Sequence, residues 1–166
     1  MAAVEVPGSV QLTAVDGQTR TLDEWLITFQ MLGVVLDPFT YESSWILETA
    51  GRILETFRGA SVRTAFVVTG TVDEAKQFCG PWVDRVLVLA DPDRNLARAA
   101  ELEALPALFH LRQNRQFGGI AQGWQPEQWR ALVHQVSAER RWSKPVIPAA
   151  GDPVAYPGSP ALPTAS

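Results

Sequence analysis

Four short apolar runs separated by stretches of helical periodicity constrain the fold of this 166-residue chain more than any other feature. Leu32-Gly33-Val34-Val35-Leu36, Val62–Thr69, Val86-Leu87-Val88-Leu89 and Leu105–Leu111 are short and nearly continuous in apolar character, as expected of strands covered on both faces. Between the first two, Trp45, Ile46, Ala50, Ile53, Leu54 and Phe57 recur at helical spacing. Thr40, Ser43 and Ser44 stand near that helix's start as cap candidates, and Gly59 supplies its stop. Val72–Phe78 and Arg94–Glu103 read as further helices, the first ended by Gly80-Pro81. Strands alternating with helices predict an α/β sandwich around a largely parallel sheet.

Both ends add detail. Val10–Ala14 and Thr19–Leu22 flank Val15-Asp16-Gly17-Gln18, a hairpin signal with Asp-Gly at its turn. Gln113-Asn114-Arg115 reads as a turn after which Gln116–Ile120 pairs back as an antiparallel edge, making the sheet mixed. Pro126 opens a closing helix to Ala138 with Trp129, Leu132, Val133 and Val136 on one face. From Glu139 the pattern stops, and six of the twelve prolines follow: Pro145, Pro148, Pro153, Pro157, Pro160 and Pro163. Each removes a backbone donor, so an extended tail without a core of its own is expected. The expected organisation is an arm (1–9), one α/β domain (10–138) and a proline-rich tail (139–166).

Several functions are disfavoured at once. The net charge is −4 with no basic patch, unlike a nucleic-acid binder. No run reaches the roughly 18 apolar residues needed to span a bilayer. Met1–Val10 has neither Lys or Arg nor a long apolar run, so no secretory signal is expected. Cys79 stands alone; with only His110 and His134 beside it in the composition, neither a disulfide nor a zinc site is expected. No metal or cofactor is anticipated, and a reducing compartment, the cytoplasm, is.

In this order the segments resemble the thioredoxin-like superfamily, particularly its TlpA and AhpC/TSA-type branch, from about Val10 to Ala138. "LTAVDGQTRTLDEW" looks like the branch's opening hairpin, and "VVLDPFTYESSWILE" like its central strand, active-site turn and first long helix. "VLADPDRNLARAAELEALPALFHLRQN" looks like its Asp-Pro-Asp segment, short helix and following strand. The resemblance implies a thioredoxin-like fold in which Leu105-Pro106 is a cis-proline step facing the turn. It also implies two cysteines at the start of the long helix, where the dipole lowers the first thiol's pKa. Here Tyr41 and Ser44 take those positions. A serine hydroxyl is not ionised at neutral pH and a phenol titrates at about 10, so neither cycles through a disulfide or attacks a peroxide as a thiolate.

The degenerate face therefore comprises Pro38, Phe39, Thr40, Tyr41, Glu42, Ser43 and Ser44 with Leu105 and Pro106. It is either a surviving groove for extended chains or a turn that only caps a helix. Cys79-Gly80-Pro81-Trp82 copies the letters of a thioredoxin motif but offers half the pair, at a helix's carboxyl end. Cys79 is read as apolar filler, with a redox role as the alternative. Asp37-Pro38 and Asp91-Pro92-Asp93 are strand-ending turns without the ligand count calcium needs. His110 and His134 stand in no hydrolase motif. Trp124 and Trp142, with Pro145, Pro148 and Tyr156, are candidate contacts for a partner, or hold the tail on its own domain.

The function expected is a redox-inactive accessory, assembly or chaperone-like protein. It would bind another protein, such as a larger enzyme complex, through the degenerate face, the tail or both. The alternative is a thiol-dependent oxidoreductase or peroxidase using Cys79.

Overall fold

The computed structural model describes residues 5–162. Pro163 and the remainder of the tail, with the first four residues of the arm, lie outside the described residues. Along the chain run β1 (Gln11–Ala14), β2 (Thr19–Thr21), α1 (Leu22–Trp25), β3 (Met31–Leu36), α2 (Tyr41–Thr56) and β4 (Arg63–Val68). Then come α3 (Val72–Cys79), a 3-10 turn (Gly80–Asp84), β5 (Leu87–Ala90), α4 (Asn95–Ala99), β6 (Ala104–Leu105) and β7 (Ala107–Leu111). β8 (Phe117–Gln122), α5 (Pro126–Arg140) and β9 (Ser159–Pro160) complete the order.

Seven strands form one sheet in the order β2-β1-β5-β4-β3-β7-β8. β5, β4 and β3 are parallel, while β1 joins β5 and β7 joins β3 antiparallel, so the sheet is mixed. Every residue of β3 is buried, as its unbroken apolar run predicts. Period-two alternation sends Leu32, Val34 and Leu36 to the face covered by α2, α3 and α5. Met31 and Val35 go to the opposite face, with α1 and α4. Gly33 stands opposite Phe109, and a Cβ there would lie 2.5 Å from the Phe109 ring. A side chain at Gly33 would displace that ring from the middle of the sheet.

Two expectations about helices need correction. Arg94–Glu103 is not one helix: α4 covers only Asn95–Ala99, with Arg94 (φ 58°) and Glu101 (φ 56°) left-handed on either side. Asp91 starts it, its carboxylate accepting the Asn95 and Leu96 N–H groups at 3.0 and 2.9 Å. Asp91-Pro92-Asp93 is thus a helix-starting turn. The one-turn α1 falls just after the hairpin, fixed by a reciprocal cap between Thr21 and Glu24.

The tail is extended, and of the two expectations for it the one realised is that it lies on its own domain. Pro145 and Ile147 are buried, and Arg130 and Arg52 donate to the Ile147 and Val146 carbonyls at 3.1 and 2.9 Å. The prolines remove donors, but the tail is held largely by its carbonyls, which accept from the domain's side chains. β9 then pairs antiparallel with β6, Leu105 opposite Ser159 and Ala104 opposite Pro160. The Ala161 N–H donates to Glu103 O at 3.0 Å. Antiparallel pairs alternate, so Pro160 falls at the position where no ladder bond is made.

His110 gives the fold a pH dependence. It is fully buried, its Nε2 donates to Gln30 Oε1, and Nδ1 has no partner among the described residues. Burial, with the Arg112 charge adding to it, pushes its pKa from 6.5 down to about 4. The unfolded chain therefore binds the proton more readily between those values, and stability falls as pH drops from 6.5 toward 4. The loss approaches about 3 kcal/mol. Urea unfolding at pH 7 and pH 4 measures it, and His110→Asn flattens the slope.

Candidate functional site

The turn after β3 is built around Asp37, a buried carboxylate. Its Oδ1 accepts the Phe39 N–H at 2.9 Å, while the Asp37 N–H donates to Ser43 Oγ at 2.9 Å. Thr40 caps α2, its side-chain oxygen accepting from the Ser43 N–H. Tyr41 and Ser44 consequently occupy the first turn of α2, where the resemblance places sulfur. Tyr41 is 78% exposed, and the Ser44 hydroxyl donates to the Tyr41 carbonyl at 2.8 Å. Ser43 is buried, its hydroxyl oxygen committed to the Asp37 N–H.

Arg94 was hidden in the sequence as an ordinary helix residue. Its left-handed backbone turns the guanidinium toward Asp37: Nη2 lies 3.0 Å from Asp37 Oδ2, with the two side chains 16% and 6% exposed. Its Nη1 donates to Ala161 O at 2.6 Å. Arg94 thus ties the turn after β3 to the tail at Ala161. Only the Asp-Pro-Asp-Arg segment hinted at it.

The Leu105-Pro106 peptide is cis, as the resemblance implies. Pro106 O accepts the Gly123 N–H at 2.8 Å, and the edge beside it, β6, is occupied by β9. The tail reaches the turn a second time through Tyr156, whose hydroxyl donates to Glu42 O and whose ring meets Trp45 edge-on, centroids 5.5 Å apart. The structure thus brings Glu42, Trp45, Leu105 and Pro106 together around the protein's own tail.

The other candidates fall as follows. Trp124 is fully buried, its Nε1 donating to Pro153 O at 2.7 Å and its backbone exchanging bonds with Tyr156. It holds the tail. Trp142 is 36% exposed and donates to Thr56 O; Pro148 is exposed and Pro145 buried. Cys79 sits at the carboxyl end of α3, 1% exposed, and burial pushes its thiol up to about 12. It belongs to the apolar cluster on one face of the sheet, whereas Leu105 belongs to the cluster on the other. Trp82 of the same motif packs on Gly51, where a Cβ would lie 2.5 Å from the indole, and donates to Glu48 at 3.1 Å. Among the described residues no three His, Cys, Asp or Glu side chains converge as a metal site would need, and no helix is long and apolar enough to cross a membrane.

Asp152 is the tail's polar anchor. Its carboxylate accepts from Thr49 Oγ1 (2.8 Å), Arg52 Nη2 (2.9 Å) and the Ala149 N–H (2.7 Å). Asp152→Ala is expected to cost about 1–3 kcal/mol. Limited proteolysis between residues 143 and 155 should accelerate in that variant.

No protein-family model matches the chain. No curated protein matches it either. Solved structures do. Peroxiredoxin Q of Xanthomonas campestris superposes with a TM-score of 0.68 at 17% identity, over 83% of this chain and 98% of that one. MTB DsbF gives 0.63 at 16% identity, over 80% and 98%. A secreted Mycobacterium tuberculosis disulfide oxidoreductase homologous to E. coli DsbE gives 0.59 at 13% identity, over 78% and 96%. The fold is thioredoxin-like, in the form shared by DsbE-type and peroxiredoxin-Q-type proteins.

Proposed function

We propose that this chain is a redox-inactive thioredoxin-fold protein that binds another protein through the face built on its degenerate active-site turn. The observation that carries this reading is the lack of an ionisable sulfur where the chemistry would be done. Tyr41 and Ser44 stand at the amino end of α2, and the single thiol is buried at the carboxyl end of α3, held protonated. Phe39, Tyr41 and Trp45, 67%, 78% and 55% exposed, leave aromatic surface in water beside that turn. Such surface supports a contact with protein. An accessory, assembly or chaperone-like role fits a face that binds without reacting, and a lone cysteine fits the cytoplasm.

A second reading, a thiol-dependent oxidoreductase or peroxidase working through Cys79 and an external thiol, draws on the likeness to peroxiredoxin Q and DsbF. Insulin reduction and peroxide consumption separate the two. The binding reading predicts background rates in both assays, unchanged by Cys79→Ser. Turnover that Cys79→Ser abolishes would replace it with the enzyme reading.

A further inference from the structure

We propose that Tyr156–Ala161 is a tethered, displaceable ligand of the β6 edge, and that the partner enters as an extended segment of the same pattern. That pattern is an aromatic residue, a glycine two positions later, then small residues or proline. The inference rests on the reading of this face as protein-binding, and adds what fills it and what it selects.

The tail divides into two zones. From Pro145 to Pro153 it is anchored by buried Ile147, by Asp152 and by Trp124. Val154 is 90% exposed and Ala155 is exposed too, so a joint open to water follows the anchor. Beyond the joint the contacts are those of a bound peptide: a bridge between Tyr156 and Trp124, the Tyr156 ring and hydroxyl on Trp45 and Glu42 O, the short β6–β9 ladder, and the Arg94 bond to Ala161 O. Exposed sheet edges recruit extended chains in this way.

The receptor is shaped for what it holds. Gly158 (φ 91°) approaches so closely that a Cβ would lie 2.4 Å from Leu105 O. On the receptor side, a Cβ at Gly123 (φ 69°) would lie 2.5 Å from Pro157 O. Two left-handed glycines, one on each side, let the backbones touch where any other residue would hold them apart. Pro160 occupies the position that needs no donor, and Ala161 is fully buried, so only a small residue fits there. The occupant is therefore specified at three positions: glycine, a residue free to be proline, and a small residue.

A tethered ligand competes at an effective concentration on the order of millimolar, which masks the site from a free peptide. The test uses the full chain and a fluorescent peptide of residues Val154–Leu162, read by anisotropy. Gly158→Val in the protein releases the latch, and this variant is expected to bind the peptide at least about ten-fold tighter than the unmodified chain. A peptide carrying the same Gly→Val change should bind neither. Equal binding by both proteins, or binding of the altered peptide, would overturn the proposal. Should Gly158→Val misfold, amide exchange on the unmodified chain decides. The Ser159 and Ala161 amides are expected to exchange about a hundred-fold faster than those of Val35 and Phe109. Equal protection would make the tail a fixed part of the domain. Failure here leaves intact the reading that the turn performs no thiol chemistry, which the turnover assays test separately.

Discussion

Arg94→Met is expected to destabilise the chain by about 3–5 kcal/mol, because it strands the Asp37 carboxylate in a buried site. The pair is 3.0 Å apart, and the Asp37 side chain is 6% exposed. With the guanidinium gone, Asp37 keeps, among the described residues, only the Phe39 N–H within hydrogen-bond reach of its carboxylate, and Ala161 O loses its donor as well. Removing the charge from both partners is a milder change than removing one, so Asp37→Asn with Arg94→Met should recover a large part of the loss. Urea unfolding of the single and double variants measures this. Equal destabilisation in both would mean that the pair's charge is not what holds the turn.

Trp124→Ala carries the other large effect, about 3–5 kcal/mol for emptying a fully buried indole site. Trp124 packs edge-on against Trp129, ring centroids 5.0 Å apart, and its N–H holds the Pro153 carbonyl at 2.7 Å. Trp124→Phe should retain most of the packing and lose the hydrogen bond, at about 1–2 kcal/mol. The two variants differ in a second way. The alanine variant removes the wall against which the tail lies, so protease cleavage near Pro153 should appear at concentrations that leave the phenylalanine variant intact. Identical cleavage patterns would place the tail's anchorage elsewhere, at Asp152 and Ile147.

Where burial imposed a pattern, the fold was legible. Leu32–Leu36 and Val86–Leu89 announce strands because both faces of the sheet are covered, and α2 announces itself because only one of its faces is. The absence of sulfur at Tyr41 and Ser44 needed no structure to be seen. What stayed hidden depends on contacts distant in sequence. The tail has no periodicity, since it is held by carbonyls accepting from Arg52, Arg130 and Trp124 rather than by a stripe of apolar side chains. Arg94 looked like a helix residue because helical propensity carries no sign of a left-handed backbone. Gly123 and Gly158 lie 35 residues apart in number, and their fit exists only once the tail has folded back. Trp124 holds the chain's own tail, through Pro153 O and the Tyr156 backbone.

Alkylation of Cys79 shows whether this chain has a usable thiol at all. It is the chain's one cysteine, so a single added mass on the intact protein reports its reactivity. Iodoacetamide is expected to label the native chain at pH 8 more than about a hundred-fold more slowly than the urea-unfolded chain, because the thiol is buried and stays protonated. A native rate matching the unfolded one, or rising to its plateau below about pH 8, would reveal an accessible thiolate and overturn the redox-inactive reading.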